Sequence, residues 1–98
     1  EAHVRYLREL KEGDPVRVTF QLLAYDAKRI HYFEELRHAE EGWLSATSEN
    51  MTLHVDMAAK KVVPFPAAVL DTLARMKAAH AGLPIPDGAG RAIKMPGE

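Results

Sequence analysis

Hydrophobic and polar residues alternate along the first half of the chain, as they do in half-buried β-strands. The clearest alternation covers about residues 15–25, with one side formed by Val16, Val18, Phe20, Leu22 and Ala24. Weaker patterns predict further strands at about residues 2–10, 28–39 and 43–57. Short segments that carry Gly13, Asp26 or Gly42 separate these strands and predict tight turns. The pattern therefore predicts four long strands joined by turns.

The second half of the chain changes character. The predicted strand at residues 43–57 is long enough that we expect a bend or bulge near residues 48–50. A proline-containing connector follows, and residues 66–81 then predict a helix, because Pro66 suits a first turn. Its apolar stripe consists of Val69, Leu70, Leu73 and Met76. Residues 83–98 are rich in Pro and Gly and predict a tail that is either draped on a partner surface or mobile.

Four long strands need an apolar cover, and a stripe of four residues is a narrow one. A helix from a preceding segment would fit better. The chain begins "EAHVRYLREL", without an initiator Met, and we interpret it as part of a larger polypeptide. The alternative is a mature or trimmed chain that is complete as it stands.

Composition narrows the class of protein. With 98 residues, 47% of them hydrophobic and 28% charged, the chain is typical of one small soluble domain. Thirteen basic and 14 acidic residues give a net charge of −1, which offers no electrostatic case for nucleic-acid binding. No apolar run approaches the roughly 20 residues that span a bilayer. We expect a cytoplasmic protein with no membrane partner that gains stability by oligomerising.

The sequence lacks the common motifs of catalytic and metal sites. No Walker loop, GxGxxG, HExxH or GxSxG pattern occurs, and there is no cysteine. A metal site needs convergent ligands, whereas the five histidines are scattered along the chain, so we predict no metal site.

Two polar features remain as candidates. The turn within "AYDAKRIHYF" places Asp26, Lys28, Arg29 and His31 together, either as solvated charge or under a bound anion. From the residues alone, solvated charge is the simpler interpretation. Glu49 sits among apolar positions of a predicted strand and either pairs with a cross-strand Arg, such as Arg37, or lines a cleft.

The order of these segments resembles a known family. The pieces that carry the resemblance are "YLREL" with "GDPVRV", the hairpin "LLAYDAKRIHYF", then "EEGWLSAT" and "LHVDM". Together they resemble the second part of a hotdog-fold acyl-CoA thioesterase of the 4-hydroxybenzoyl-CoA thioesterase type. Within that superfamily, about residues 2–66 are most similar to thioesterases of carnitine and betaine breakdown, which also occur fused behind a carnitine dehydrogenase.

The resemblance implies an α+β hotdog fold, in which a curved antiparallel sheet wraps a long central helix. Four strands and the C-terminal helix fit residues 1–82 as a partial domain, with residues 83–98 as the tail. The opening strand and the central helix of the family precede the segment matched here. In the family, subunits pair their sheets edge to edge, so the resemblance implies a homo-oligomer, either a dimer or a tetramer, with its active sites at the dimer interface.

The resemblance also implies an activity. The substrate implied by the resemblance is a small acyl-CoA, and the subfamily suggests betainyl-CoA. The resemblance implies no cofactor. The family's catalytic carboxylate lies near the start of the central helix, so no catalytic residue is assigned within the chain. Lys28 matches a hairpin position that meets coenzyme A phosphates, and Arg29 follows it. His31 and Glu49 are expected to line the cleft, although His31 could instead pack under the dimer sheet or pair with Glu49.

Two other classes of function stay open from the sequence. One is a non-catalytic hotdog module that binds acyl-CoA or only mediates dimerisation. The other is an unrelated small α+β interaction domain whose strand composition merely resembles the family.

Overall fold

A computed structural model of the chain describes residues 1–90, and predictions about residues 91–98 lie outside the described residues. Its strands and helix are β1 (Ala2–Tyr6), β2 (Val16–Tyr25), β3 (Arg29–His38), β4 (Leu44–Leu53), β5 (Val55–Asp56), β6 (Lys61–Val62) and α1 (Ala67–His80). The first four strands form one antiparallel sheet in the order β1-β4-β3-β2, while β5 and β6 form a separate hairpin. The predicted α+β architecture of an antiparallel sheet with a C-terminal helix is confirmed.

The first strand is shorter than the pattern at residues 2–10 predicts. Regular pairing ends at Tyr6, because the backbone N–H groups of Leu7 and Arg8 both donate to the carbonyl of Ser45. The Ser45 hydroxyl in turn donates to the carbonyl of Arg8 at 2.7 Å. The chain therefore stays attached to β4 after Tyr6, but without the alternating ladder of a strand.

The predicted strand at residues 43–57 is two strands. Its pairing with β3 ends at Leu53, and the N–H of His54 donates to the carbonyl of Lys28 in the β2–β3 turn. The chain then turns away, and Val55 pairs with Val62 in the β5–β6 hairpin. The sequence analysis predicted only a proline-containing connector after residue 57, so the sequence did not reveal this second hairpin.

A bulge changes one predicted face of β2. The register with β3 shifts between Leu22 and Ala24, so Ala24 lies opposite His31 and packs against Met51. The prediction that Ala24 shares a face with Val16 is therefore wrong. One extra residue in a strand reverses the alternation beyond it.

The two faces of the sheet differ in cover. We call one the covered face, since its central side chains are buried: His31, Phe33, Thr47, Glu49 and Met51. We call the other the open face, and its exposed or half-exposed members include Val4, Val18, Phe20, Leu36 and Ala46. Hydrophobic side chains on an unpartnered sheet face favour contact with another element.

Helix α1 and the segment after it attach to β2. Leu73 is the buried residue of the helix, and the N–H of Leu22 donates to Nδ1 of His80 at 2.9 Å. The following segment, residues 83–90, passes over the covered face, where Gln21 donates to the carbonyl of Pro84. This segment belongs to the predicted tail, and its described part is docked on the sheet.

Candidate functional site

The β2–β3 turn is organised by one carboxylate. Oδ1 of Asp26 accepts the backbone N–H groups of Lys28 and Arg29, both at 2.8 Å. Oδ2 of Asp26 forms an ion pair with the Arg29 guanidinium at 2.9 Å. These hydrogen bonds, led by the N–H of Lys28, lower the pKa of Asp26 below its usual value. Asp26 therefore builds the turn and also offsets part of its positive charge.

Lys28 and Arg29 differ in what their charges contact. Arg29 is bound to Asp26, and along β3 it shares the alternation of His31 on the covered face. Lys28 is exposed in the turn, and no ion pair within residues 1–90 involves its side chain. An anion approaching the hairpin therefore meets Lys28 first and must compete with Asp26 for Arg29.

His31 and Glu49 form a buried pair across β3 and β4. Nε2 of His31 lies 2.8 Å from Oε2 of Glu49, and the two side chains are 3% and 1% exposed. The two atoms share one hydrogen bond, in which Nε2 is the donor when the tautomer of His31 carries its proton there. The same oxygen accepts the N–H of Gly90 at 2.6 Å. The docked tail thus closes over the pair.

The pair settles one open alternative for Glu49. Arg37 does not reach it, because the Arg37 guanidinium contacts Glu35 at 3.4 Å and the carbonyl of Gly42 at 3.0 Å. Of the alternatives left open for His31, pairing with Glu49 is the arrangement observed. Lys28 and Arg29 lie at the hairpin, whereas His31 and Glu49 form a buried pair further along the sheet. Arg29 and His31 share the covered face.

The open face carries a cluster that the sequence analysis missed. Phe20 stacks on Tyr32 with ring centroids 4.9 Å apart, and Glu34 lies directly opposite Phe20 in the β2–β3 register. Asn50 on β4 reaches Oε1 of Glu34 at 3.5 Å and contacts Ser48. Burial raises the pKa of Tyr32, and the negative charge of Glu34 raises it further. The alternation along β3 predicts that Tyr32 and Glu34 share a face. The sequence alone did not show that Phe20 of β2 and Asn50 of β4 lie beside them.

No metal or membrane feature stands out in the part of the chain that the structure describes. Residues 1–90 contain no group of three or more His, Cys, Asp or Glu side chains placed to hold a metal ion. None of the described helices combines the length and apolarity needed to cross a bilayer. The predicted cytoplasmic location stays a prediction.

Comparison with known proteins decides the family. The profile of the thioesterase-like superfamily matches residues 1–73, which include all four strands of the main sheet and the beginning of α1. The chain belongs to the thioesterase-like superfamily. The resemblance seen in the sequence is thereby confirmed at the level of the family.

Curated thioesterase-like relatives carry related names. The chain is 41% identical over 96 residues to a betainyl-CoA thioesterase of Pseudomonas aeruginosa, covering 98% of this chain and 60% of that protein. It is 47% identical over 93 residues to an L-carnitine dehydrogenase/betainyl-CoA thioesterase of Rhizobium meliloti, covering 95% of this chain and 19% of that protein. The predicted similarity to thioesterases of carnitine and betaine breakdown is confirmed. The chain thus spans only part of each relative.

Solved structures of other proteins share this fold. A Staphylococcus aureus protein in complex with CoA superposes with a TM-score of 0.86 at 31% identity, covering 98% of this chain and 60% of that one. A Pseudomonas putida crystal structure superposes with a TM-score of 0.81 at 38% identity and the same coverage. Both matches extend over nearly the whole chain, and they support the predicted hotdog-type fold.

Proposed function

We propose that this chain is part of an acyl-CoA thioesterase that hydrolyses a small acyl-CoA, with betainyl-CoA as the candidate substrate. The observation that carries the proposal is the family match together with about 40% identity to proteins named betainyl-CoA thioesterases. A structural relative at 31% identity in complex with CoA supports the same ligand class.

The hairpin supplies the proposed contact with coenzyme A. The nucleotide of coenzyme A carries a diphosphate and a further phosphate. Lys and Arg form strong charge-assisted hydrogen bonds with such groups. Lys28 is exposed and free of ion pairs within the described residues, which suits the first contact. Arg29 provides a second contact when a phosphate takes the place of the Asp26 carboxylate as the partner of its guanidinium.

We assign no catalytic residue within the chain. The resemblance places the water-activating carboxylate on a helix that precedes the matched segment. His31 and Glu49 stay predicted cleft residues. Both are buried beneath residues 83–90, so contact with a substrate requires that segment to move.

The test changes Lys28 and Arg29 to Ala in the full-length protein. With a CoA ester, the Michaelis constant should rise about tenfold, the effect of losing one or two phosphate contacts. With the N-acetylcysteamine thioester of the same acid, which lacks the nucleotide, it should stay unchanged. Steady-state hydrolysis assays on both substrates give the comparison.

Lys11→Ala is the matched control, because Lys11 is an exposed lysine near the opposite end of β2. Equal rises for both substrates would remove the phosphate contact from the proposal. If the wild-type protein binds the CoA ester without hydrolysing it, the non-catalytic binding module is the correct class.

We also propose a homo-oligomer that forms along β1. Glu1 and Met51 exchange both backbone hydrogen bonds, so the N–H groups of Ala2 and Val4 point away from β4. The other edge strand, β2, is partly occupied by His80 of α1. An exposed edge with unused donors favours pairing with another strand.

Val4→Pro removes one of these outward donors and leaves the ladder with β4 intact. Light scattering of the full-length protein should show a dimer or tetramer for the wild type and a smaller species for the variant. A monomeric wild type would rule out the oligomer.

A further inference from the structure

The β5–β6 hairpin is fastened to the turn between β2 and β3. The N–H of His54 donates to the carbonyl of Lys28 at 2.9 Å, and the N–H of Phe65 donates to the carbonyl of Ala27 at 2.8 Å. The rings of His54 and Phe65 stack with centroids 5.2 Å apart. The residues that flank the second hairpin are therefore bonded to consecutive residues of the turn that carries Lys28.

The β5–β6 turn has the same arrangement of charge as the β2–β3 turn. Oδ1 of Asp56 accepts the N–H groups of the second and third residues after it, at 2.9 and 3.0 Å. Asp26 accepts the N–H groups at the same two spacings in the first turn. Two consecutive basic residues end both turns, and in the second turn they are Lys60 and Lys61. A carboxylate thus shapes each turn beside a pair of cations.

Lys60 and Lys61 are exposed, and none of the ion pairs within residues 1–90 includes either of them. Asp56 lies opposite Lys61 in the β5–β6 register and offsets part of their charge. The two turns together hold four basic residues against two carboxylates, on a chain whose net charge is −1. The paired hairpins therefore form a locally positive surface that attracts anions.

We propose that Lys60 and Lys61 bind the phosphate at the 3′ position of the coenzyme A ribose. This inference rests on the proposed function, which places the diphosphate of the same nucleotide at Lys28 and Arg29. The ribose separates the two phosphate groups, so the site for the second group must lie close to the first. A phosphate monoester carries nearly two negative charges, and lysine ammonium groups form strong charge-assisted hydrogen bonds with it.

The path between the two hairpins fits this separation. His54 is bonded to Lys28, and two residues further along the chain Asp56 lies opposite Lys61. Two residues of strand span about 7 Å, and a lysine side chain adds the reach of its flexible four-carbon stem. Both hairpins lie at the end of the sheet where β3 begins and β4 ends, so this contact does not need access to the open face.

The test compares betainyl-CoA with its 3′-dephospho analogue in the full-length protein. The wild type should prefer betainyl-CoA about tenfold in kcat/KM, the effect of one charge-assisted contact. Lys60→Gln combined with Lys61→Gln should lower kcat/KM for betainyl-CoA by that factor and leave the dephospho ester within about twofold. Lys11→Gln combined with Lys77→Gln removes the same charge elsewhere and is the matched control, which should preserve the preference.

The outcomes separate this site from the proposed function. Equal losses for both esters, no loss for either, or the same selective loss in the control would overturn the phosphate site while leaving thioester hydrolysis intact. If the wild-type protein hydrolyses neither ester, the thioesterase proposal fails, and calorimetric titration with CoA and 3′-dephospho-CoA then decides the phosphate site. Tighter binding of CoA that the double variant abolishes would support the site. Equal wild-type affinity, or a preference that the variant retains, would overturn it.

Discussion

Nε2 of His31 and Oε2 of Glu49 lie 2.8 Å apart on neighbouring strands, with both side chains almost fully buried. Oε1 of Glu49 has no hydrogen-bond partner within residues 1–90. Among these residues, the hydrogen bonds of Oε2 with His31 and with the N–H of Gly90 offset the cost of burying the carboxylate. A buried carboxylate that loses its donor retains the cost of desolvation. The pair therefore contributes to stability mainly by satisfying Glu49.

The first prediction follows from this pair. His31→Leu should lower the free energy of unfolding by about 3 kcal/mol, because it leaves a buried carboxylate without its side-chain donor. The double variant His31→Leu with Glu49→Leu should recover part of that loss. Urea denaturation of the full-length protein measures both. A single variant as stable as the wild type would contradict the interpretation.

The second prediction concerns the pH dependence of the β2–β3 turn. Backbone N–H groups and Arg29 lower the pKa of Asp26, so its ionised form stabilises the fold above the unfolded pKa of about 3.9. That contribution is lost as the pH falls through the folded pKa. Because the ion pair is partly exposed, we expect ionised Asp26 to contribute less than about 1 kcal/mol to the free energy of unfolding.

Asp26→Asn is the comparison for this effect. The difference in unfolding free energy between wild type and variant should be largest near neutral pH and shrink below pH ~4. Denaturation at a series of pH values measures it. A difference that grows on acidification would contradict the assignment.

The third prediction concerns Tyr32. Burial and the charge of Glu34 raise its pKa, so the neutral phenol stabilises the fold fully below the unfolded value of about 10. This contribution is lost as the pH rises through the folded pKa. Ultraviolet titration should therefore show that Glu34→Gln shifts one tyrosine to a lower pKa. Tyr32→Phe identifies the signal, and an unchanged titration in Glu34→Gln would show that the charge has no influence.

The fourth prediction concerns the attachment of α1. His80→Phe keeps a ring beside Phe20 but removes the acceptor for the N–H of Leu22, which is then left without that bond. We expect the free energy of unfolding to fall by about 1–2 kcal/mol. Relative to the wild type, amide hydrogen exchange should accelerate more in α1 than in the main sheet. Lys77→Ala, in the same last turn, is the control. Unchanged exchange in α1 would show that packing of Leu73 alone holds the helix.

Local patterns in the sequence determined the order of elements. Strict alternation predicted β2, the Asp26 turn separated β2 from β3, and Pro66 marked the start of α1. These features are encoded over a few neighbouring residues, because side-chain direction has a fixed period in each type of element. The family could also be inferred from the succession of such segments.

Only the tertiary structure decided which residues meet. The bulge after Leu22 moved Ala24 to the opposite face of the sheet. The pairing of β3 with β4 brought His31, and not Arg37, next to Glu49. Register and face cover depend on contacts between residues far apart in the chain, and period alone does not specify them. For the same reason, the cluster around Glu34 emerged only when β2, β3 and β4 lay side by side.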